Sequence, residues 1–91
     1  MSLPTLEFDV SEIVLRTPYD EDFVEALKQL PREARRWDAQ AKVWRVDLDH
    51  VSHVRDLMLR HWNEIAVVND PDEGDHILDA SGTIHQQFGL F

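Results

Sequence analysis

Two adjoining segments, Glu33-Ala34-Arg35-Arg36-Trp37-Asp38 and Lys42-Val43-Trp44-Arg45-Val46-Asp47-Leu48, decide the fold class. In the second, Trp44, Val46 and Leu48 alternate with Arg45 and Asp47. That period of two marks a strand with one face on a core and the other on water. The first segment reads as its hairpin partner, connected through Asp38-Ala39-Gln40-Ala41.

Working upstream, Pro31 ends a helix predicted over Pro18 to Leu30. Proline lacks the backbone donor and biases its predecessor away from helix. Phe23, Leu27 and Leu30 form one apolar stripe, with Ala26 beside it. Thr17, Pro18 and Asp20 make a helix-start signature, and Asp20, Glu21 and Asp22 suit the positive end of the helix dipole. Ahead of it, Glu12-Ile13-Val14-Leu15-Arg16 reads as a strand rich in branched residues.

Downstream, Asp49 is the expected N-cap of a second helix over His50 to Trp62, with Val51, Val54, Met58 and Trp62 along one face and Leu57 and Leu59 widening it. Ile65-Ala66-Val67-Val68 is a continuous apolar run, the pattern of a strand buried on both faces. Asn69 to Asp75 reads as an exposed turn, and Thr83 to Phe88 as a last edge strand. The order β-α-β-β-α-β predicts an α+β, ferredoxin-like two-layer sandwich: an antiparallel sheet with two helices on one face. It forms a single domain, residues 1–91. The compact core spans about 10–70, and an acidic loop and C-terminal tail occupy 69–91, ending in the hydrophobic Phe88-Gly89-Leu90-Phe91.

Composition narrows the function classes. At 91 residues and 43% apolar content, the chain supports one core and no deep pocket. The absence of cysteine excludes a thiolate metal site or nucleophile and fits a reducing compartment. No run approaches the length of a membrane span, and no basic-then-apolar leader opens the chain, so a cytoplasmic protein with no membrane partner is expected. The net charge is −9. Residues 32–48 reverse that sign, with five bases (Arg32, Arg35, Arg36, Lys42, Arg45) against three acids, whereas residues 63–91 hold six acids and no base.

The stretch from Phe23-Val24-Glu25-Ala26-Leu27-Lys28-Gln29-Leu30-Pro31 through Arg36-Trp37-Asp38 to Lys42-Val43-Trp44-Arg45-Val46 resembles the motif of the HepA-related (HARP) domain, found beside the motor of Swi/Snf-type annealing helicases. The shared features are a Phe four residues before Leu-Lys, an apolar-Pro helix stop, an aromatic-Asp pair, and Lys-x-Trp-x-apolar. The match covers about a quarter of the chain. The resemblance implies contact with single-stranded or forked DNA beside a helicase or other DNA-handling protein. It points to Lys28, Arg36, Trp37, Lys42, Trp44 and Arg45. The residues themselves point the same way and add Arg35: tryptophans interleaved with bases are the composition of a surface where a base stacks on an indole and a cation meets phosphate. The competing reading places both indoles in the core, Trp44 by its alternation with Val46 and Leu48. A second function class is an acidic adaptor or DNA mimic. In it the carboxylates of Asp20 to Glu25 and Asp70 to Asp79 engage a basic partner. A homodimer formed through an edge strand is a third.

No enzyme is expected. The four serines, Ser2, Ser11, Ser52 and Ser81, occupy no strand-to-helix elbow, and three glycines make no phosphate loop. His50 and His53 lack third and fourth ligands for a metal. The run Asp70-Pro71-Asp72-Glu73-Gly74-Asp75 has its glycine in the wrong place for a calcium loop. No cofactor or metal is expected.

Overall fold

The computed structural model describes residues 3–88. Its strands are β1 (Thr5–Phe8), β2 (Glu12–Arg16), β3 (Arg35–Asp38), β4 (Val43–Asp47), β5 (Glu64–Asp70), β6 (Gly74–Asp79) and β7 (Ile84–Phe88); its helices are α1 (Glu21–Leu27) and α2 (Val51–Trp62). All strands join one sheet in the order β3-β4-β2-β1-β5-β6-β7. Neighbours are antiparallel except β1 and β5, which run parallel with Leu6 opposite Val67. The fold is α+β. The sheet is mixed and seven-stranded, not the four-stranded antiparallel sheet of the expected ferredoxin-like arrangement.

The difference originates at the N-terminus. Leu6 and Phe8 alternate with Thr5 and Glu7, so one side of the chain is apolar and the segment pairs as β1 between β2 and β5. Leu6 is completely buried there. At the other end, His76 and Leu78 of β6 are buried, so part of the expected acidic loop and tail is sheet. Of the C-terminal Phe88-Gly89-Leu90-Phe91, residues 89–91 lie outside the described residues.

Both helices cover one face. Phe23 and Leu27 of α1, with Leu30 just beyond it, and Val54, Leu57, Met58 and Leu59 of α2 share a core with Leu6, Ile13, Leu15, Val46, Ile65, Val67 and Leu78 of the sheet. Phe23 joins the helices, its ring 4.8 Å from Trp62 and edge-on to His61 at 5.6 Å. Helix α1 starts later than expected because Asp20, not Thr17, is the N-cap, accepting from the Phe23 N–H at 2.9 Å. It stops before Leu30 because the Gln29 and Leu30 amides take i−3 carbonyls, tightening the last turn. Helix α2 ends at Asn63, whose positive φ of 64° is one that asparagine tolerates.

Among the described residues, no helix covers the opposite face. In β5, Ile65 and Val67 are therefore sealed while Ala66 and Val68 are only half-buried, correcting the expectation of burial on both faces. Val14 and Val43 are nonetheless buried on this open face. Long charged side chains flank them, in the manner of guanidinium stems lying on apolar surface.

Shortening Leu6 should therefore cost as much as shortening a central core residue. Leu6→Ala is expected to destabilise by about 2–5 kcal/mol, while the 94%-exposed Val10→Ala stays within about 0.5 kcal/mol. Urea unfolding with an unchanged m-value checks both.

Candidate nucleic-acid interface

The register of the β3–β4 hairpin sorts the sequence-predicted site residues. Trp37 pairs with Trp44 and Arg35 with Val46, on the helix-covered face; Arg36 pairs with Arg45 on the open face. Directly opposite residues in an antiparallel pair share a face, so adjacent residues of β3 must diverge. The seven candidates therefore do not form one surface.

On the open face, Arg45 is neutralised twice. Its Nε donates to Asp38 Oδ2 at 3.0 Å and its Nη1 to Glu12 Oε2 at 3.0 Å. These contacts raise its own pKa, with the Glu12 bond the larger cause. Arg36 reaches the other Glu12 oxygen at 3.5 Å and keeps 63% of its side chain exposed. Glu12 thus serves two guanidinium groups, one with each oxygen. Asp38 does more than pair: its Oδ1 accepts from the Gln40 and Ala41 amides at 3.1 and 3.0 Å, closing the hairpin turn. The Ala41 amide, then Arg45, holds its carboxyl below the usual range. Lys42 follows at the hairpin tip, exposed and in the left-handed region with φ 59°.

On the helix-covered face, Arg35 is also engaged, donating to the carbonyls of Leu30 and Lys28 at 3.4 Å each. It steadies the chain leaving α1, where carbonyls lack helical partners. Trp44 is half-buried against the core. Trp37 lies outside it with ring centroids 5.4 Å apart and planes tilted by 59°, and remains 49% exposed at the sheet edge. These two indoles, Lys28, Val24 and the 81%-exposed Tyr19 line one shallow depression of about 340 Å³. Lys28, Arg32 and Lys42 have no ion-pair partner among the described residues.

Sequence reasoning missed Tyr19, Val24 and Glu12. Tyr19 carried a signal, an aromatic ring ahead of the first turn of a helix whose stripe begins at Phe23. Glu12 carried none, because only strand register brings it beneath two arginines. Comparison with protein-family models, with curated proteins and with solved structures gives no match.

One further cluster was not foreseen. Ser81, Asp79 and His85 meet at the β6–β7 turn, the residue types of a hydrolytic triad. Asp79 is in the middle: its Oδ1 accepts from Ser81 Oγ at 2.6 Å and from the Ser81 and Thr83 amides, while its Oδ2 meets His85 Nε2. A triad needs the imidazole between hydroxyl and carboxylate. Here the carboxylate staples a turn. The Ser81 hydroxyl, then His85 and the Thr83 amide, push the Asp79 carboxyl strongly down. No group of three metal-ligating side chains occurs among the described residues.

Asp38 and Asp79 both have depressed folded-state pKa values, so the stability they supply is complete above about pH 3.9, the ordinary aspartate value, and lost as pH falls through their folded values. Arg45→Gln is expected to move the Asp38 pKa upward without returning it to the ordinary value, because the Ala41 amide bond remains. Carboxyl NMR titration reads this directly.

Proposed function

We propose that this chain is a non-catalytic, cytoplasmic binding module, HARP-like in mode, that takes an unpaired base of single-stranded or forked DNA onto the Trp37 indole. The observation that carries the reading is the half-exposed Trp37 ring, backed by Trp44 and sharing its depression with Tyr19 and Lys28. Such a surface suits an aromatic ring entering from solvent, with Lys28 placed for an adjoining phosphate.

The charge arrangement favours an unpaired strand over duplex. Duplex offers mainly phosphate to a protein surface, and a molecule of net charge −9 repels it. Arg35 and Arg45 are already engaged. Contact with phosphate falls to Lys28, Arg32 and Lys42, enough for about two or three contacts and a salt slope near −1.5 to −2. The adaptor or mimic reading has less support, because Asp20, Asp70, Asp75 and Asp79 accept hydrogen bonds from backbone amides of their own caps and turns.

Titration of tryptophan fluorescence with an oligothymidylate at low salt tests the proposal. Quenching that weakens about tenfold to a hundredfold in Trp37→Ala, and less in Lys28→Ala, is expected, with Arg45→Gln close to wild type. Absence of quenching at low salt, or equal affinity of Trp37→Ala and wild type, rules the reading out.

A further inference from the structure

The outer edge of β3 pairs with no strand among the described residues: β3 heads the sheet order, with β4 as its one neighbour. An open edge presents unpaired backbone donors and acceptors and invites another strand. Symmetry restricts how a second copy could add to it. A two-fold axis normal to the sheet makes the two β3 strands antiparallel and sets one residue opposite its own copy. Centring on Arg35, Arg36 or Asp38 would set like charges face to face, which is destabilising. Centring on Trp37 sets indole against indole and places each Arg36 opposite the other copy's Asp38.

That register resolves features the single chain leaves open. Arg36 sits beside Arg45, a like charge, and holds Glu12 only at 3.5 Å. Asp38 of the second copy, which also holds Arg45 and the turn amides, would add a second carboxylate to the Glu12 contact. On the other face the existing Trp37–Trp44 contact would extend into a ladder of four indoles, covering the exposed half of Trp37. We propose that two copies of this chain associate edge to edge through β3, in the register centred on Trp37, making one continuous sheet across the pair. Four-residue strands bury little area, so the association is weak and reversible. It also covers the ring proposed above to receive a base, so the monomer is the DNA-binding form.

Sedimentation equilibrium on the purified chain, without nucleic acid, tests this independently of DNA binding. Wild type is expected to dimerise with Kd at or below about 1 mM. Arg36→Asp, which faces two aspartates against two, should weaken association by about tenfold or more while keeping the wild-type far-UV spectrum. Asp38→Arg should also be monomeric, and an equimolar mixture of the two variants should dimerise again, since each 36–38 pair is then of opposite charge. A monomeric wild type at about 1 mM, or Arg36→Asp dimerising as wild type does, overturns the proposal. So does a mixture that stays monomeric while both variants keep the wild-type spectrum.

Discussion

The pairing of β1 with β2 on one side and β5 on the other holds the molecule together. Without β1 the sheet would be two separate ribbons, β3-β4-β2 and β5-β6-β7. Each alone is a three-stranded piece with half a core. Leu6 is the buried residue at that junction, and the helices α1 and α2 can share one hydrophobic layer because the strands beneath them are continuous. The layer covers one face only, and most of what distinguishes this surface follows from that one-sidedness.

A sheet face with no layer above it leaves its polar groups to water or to one another and can shield its few apolar residues with charged side chains. Glu12, Arg36, Asp38 and Arg45 do so around Val14 and Val43, so two of the five bases in the segment that stands out in the sequence are ion-paired in the fold. Partial exposure keeps such pairs individually weak. Their effect is to remove cations from contact with a ligand. What stays available is the aromatic edge, where Trp37 projects beyond the end of the helix-covered core.

The middle of the fold was legible because local patterns there agree. The stripe Phe23, Leu27, Leu30, the stop at Pro31, and the alternation of Trp44 with Val46 each dictate a local geometry, and α1, β4, α2 and the β3–β4 hairpin follow. The expected edge strand over Thr83 to Phe88 is present as β7, whereas β1 and β6 were not legible, for two physical reasons. Pro4 and the short length of Leu6-Glu7-Phe8 concealed a strand that is completed by a partner about sixty residues away, beyond its local hairpin with β2. At β6, the acids around Gly74 and Asp75 read as loop, although His76 and Leu78 face the core, because a hairpin turn and an exposed loop share the same residues. Of the residues lining the Trp37 depression, Trp37, Trp44 and Lys28 were singled out by motif and composition. The pairing of Arg36 and Arg45 with Glu12 was not, since it depends on strand register between segments far apart in sequence.

The parallel contact between β1 and β5 joins residues about sixty positions apart, as in Thr5 opposite Ala66. A chain emerging from the ribosome can form the β3–β4 hairpin and both helices early, but its first strand has no second partner until β5 has been made. Until then the segment that will become the middle of the sheet lies at its border. The central pairing of the sheet thus waits for β5, and β1 is paired on both sides only after the four strands β2 to β5 have been made.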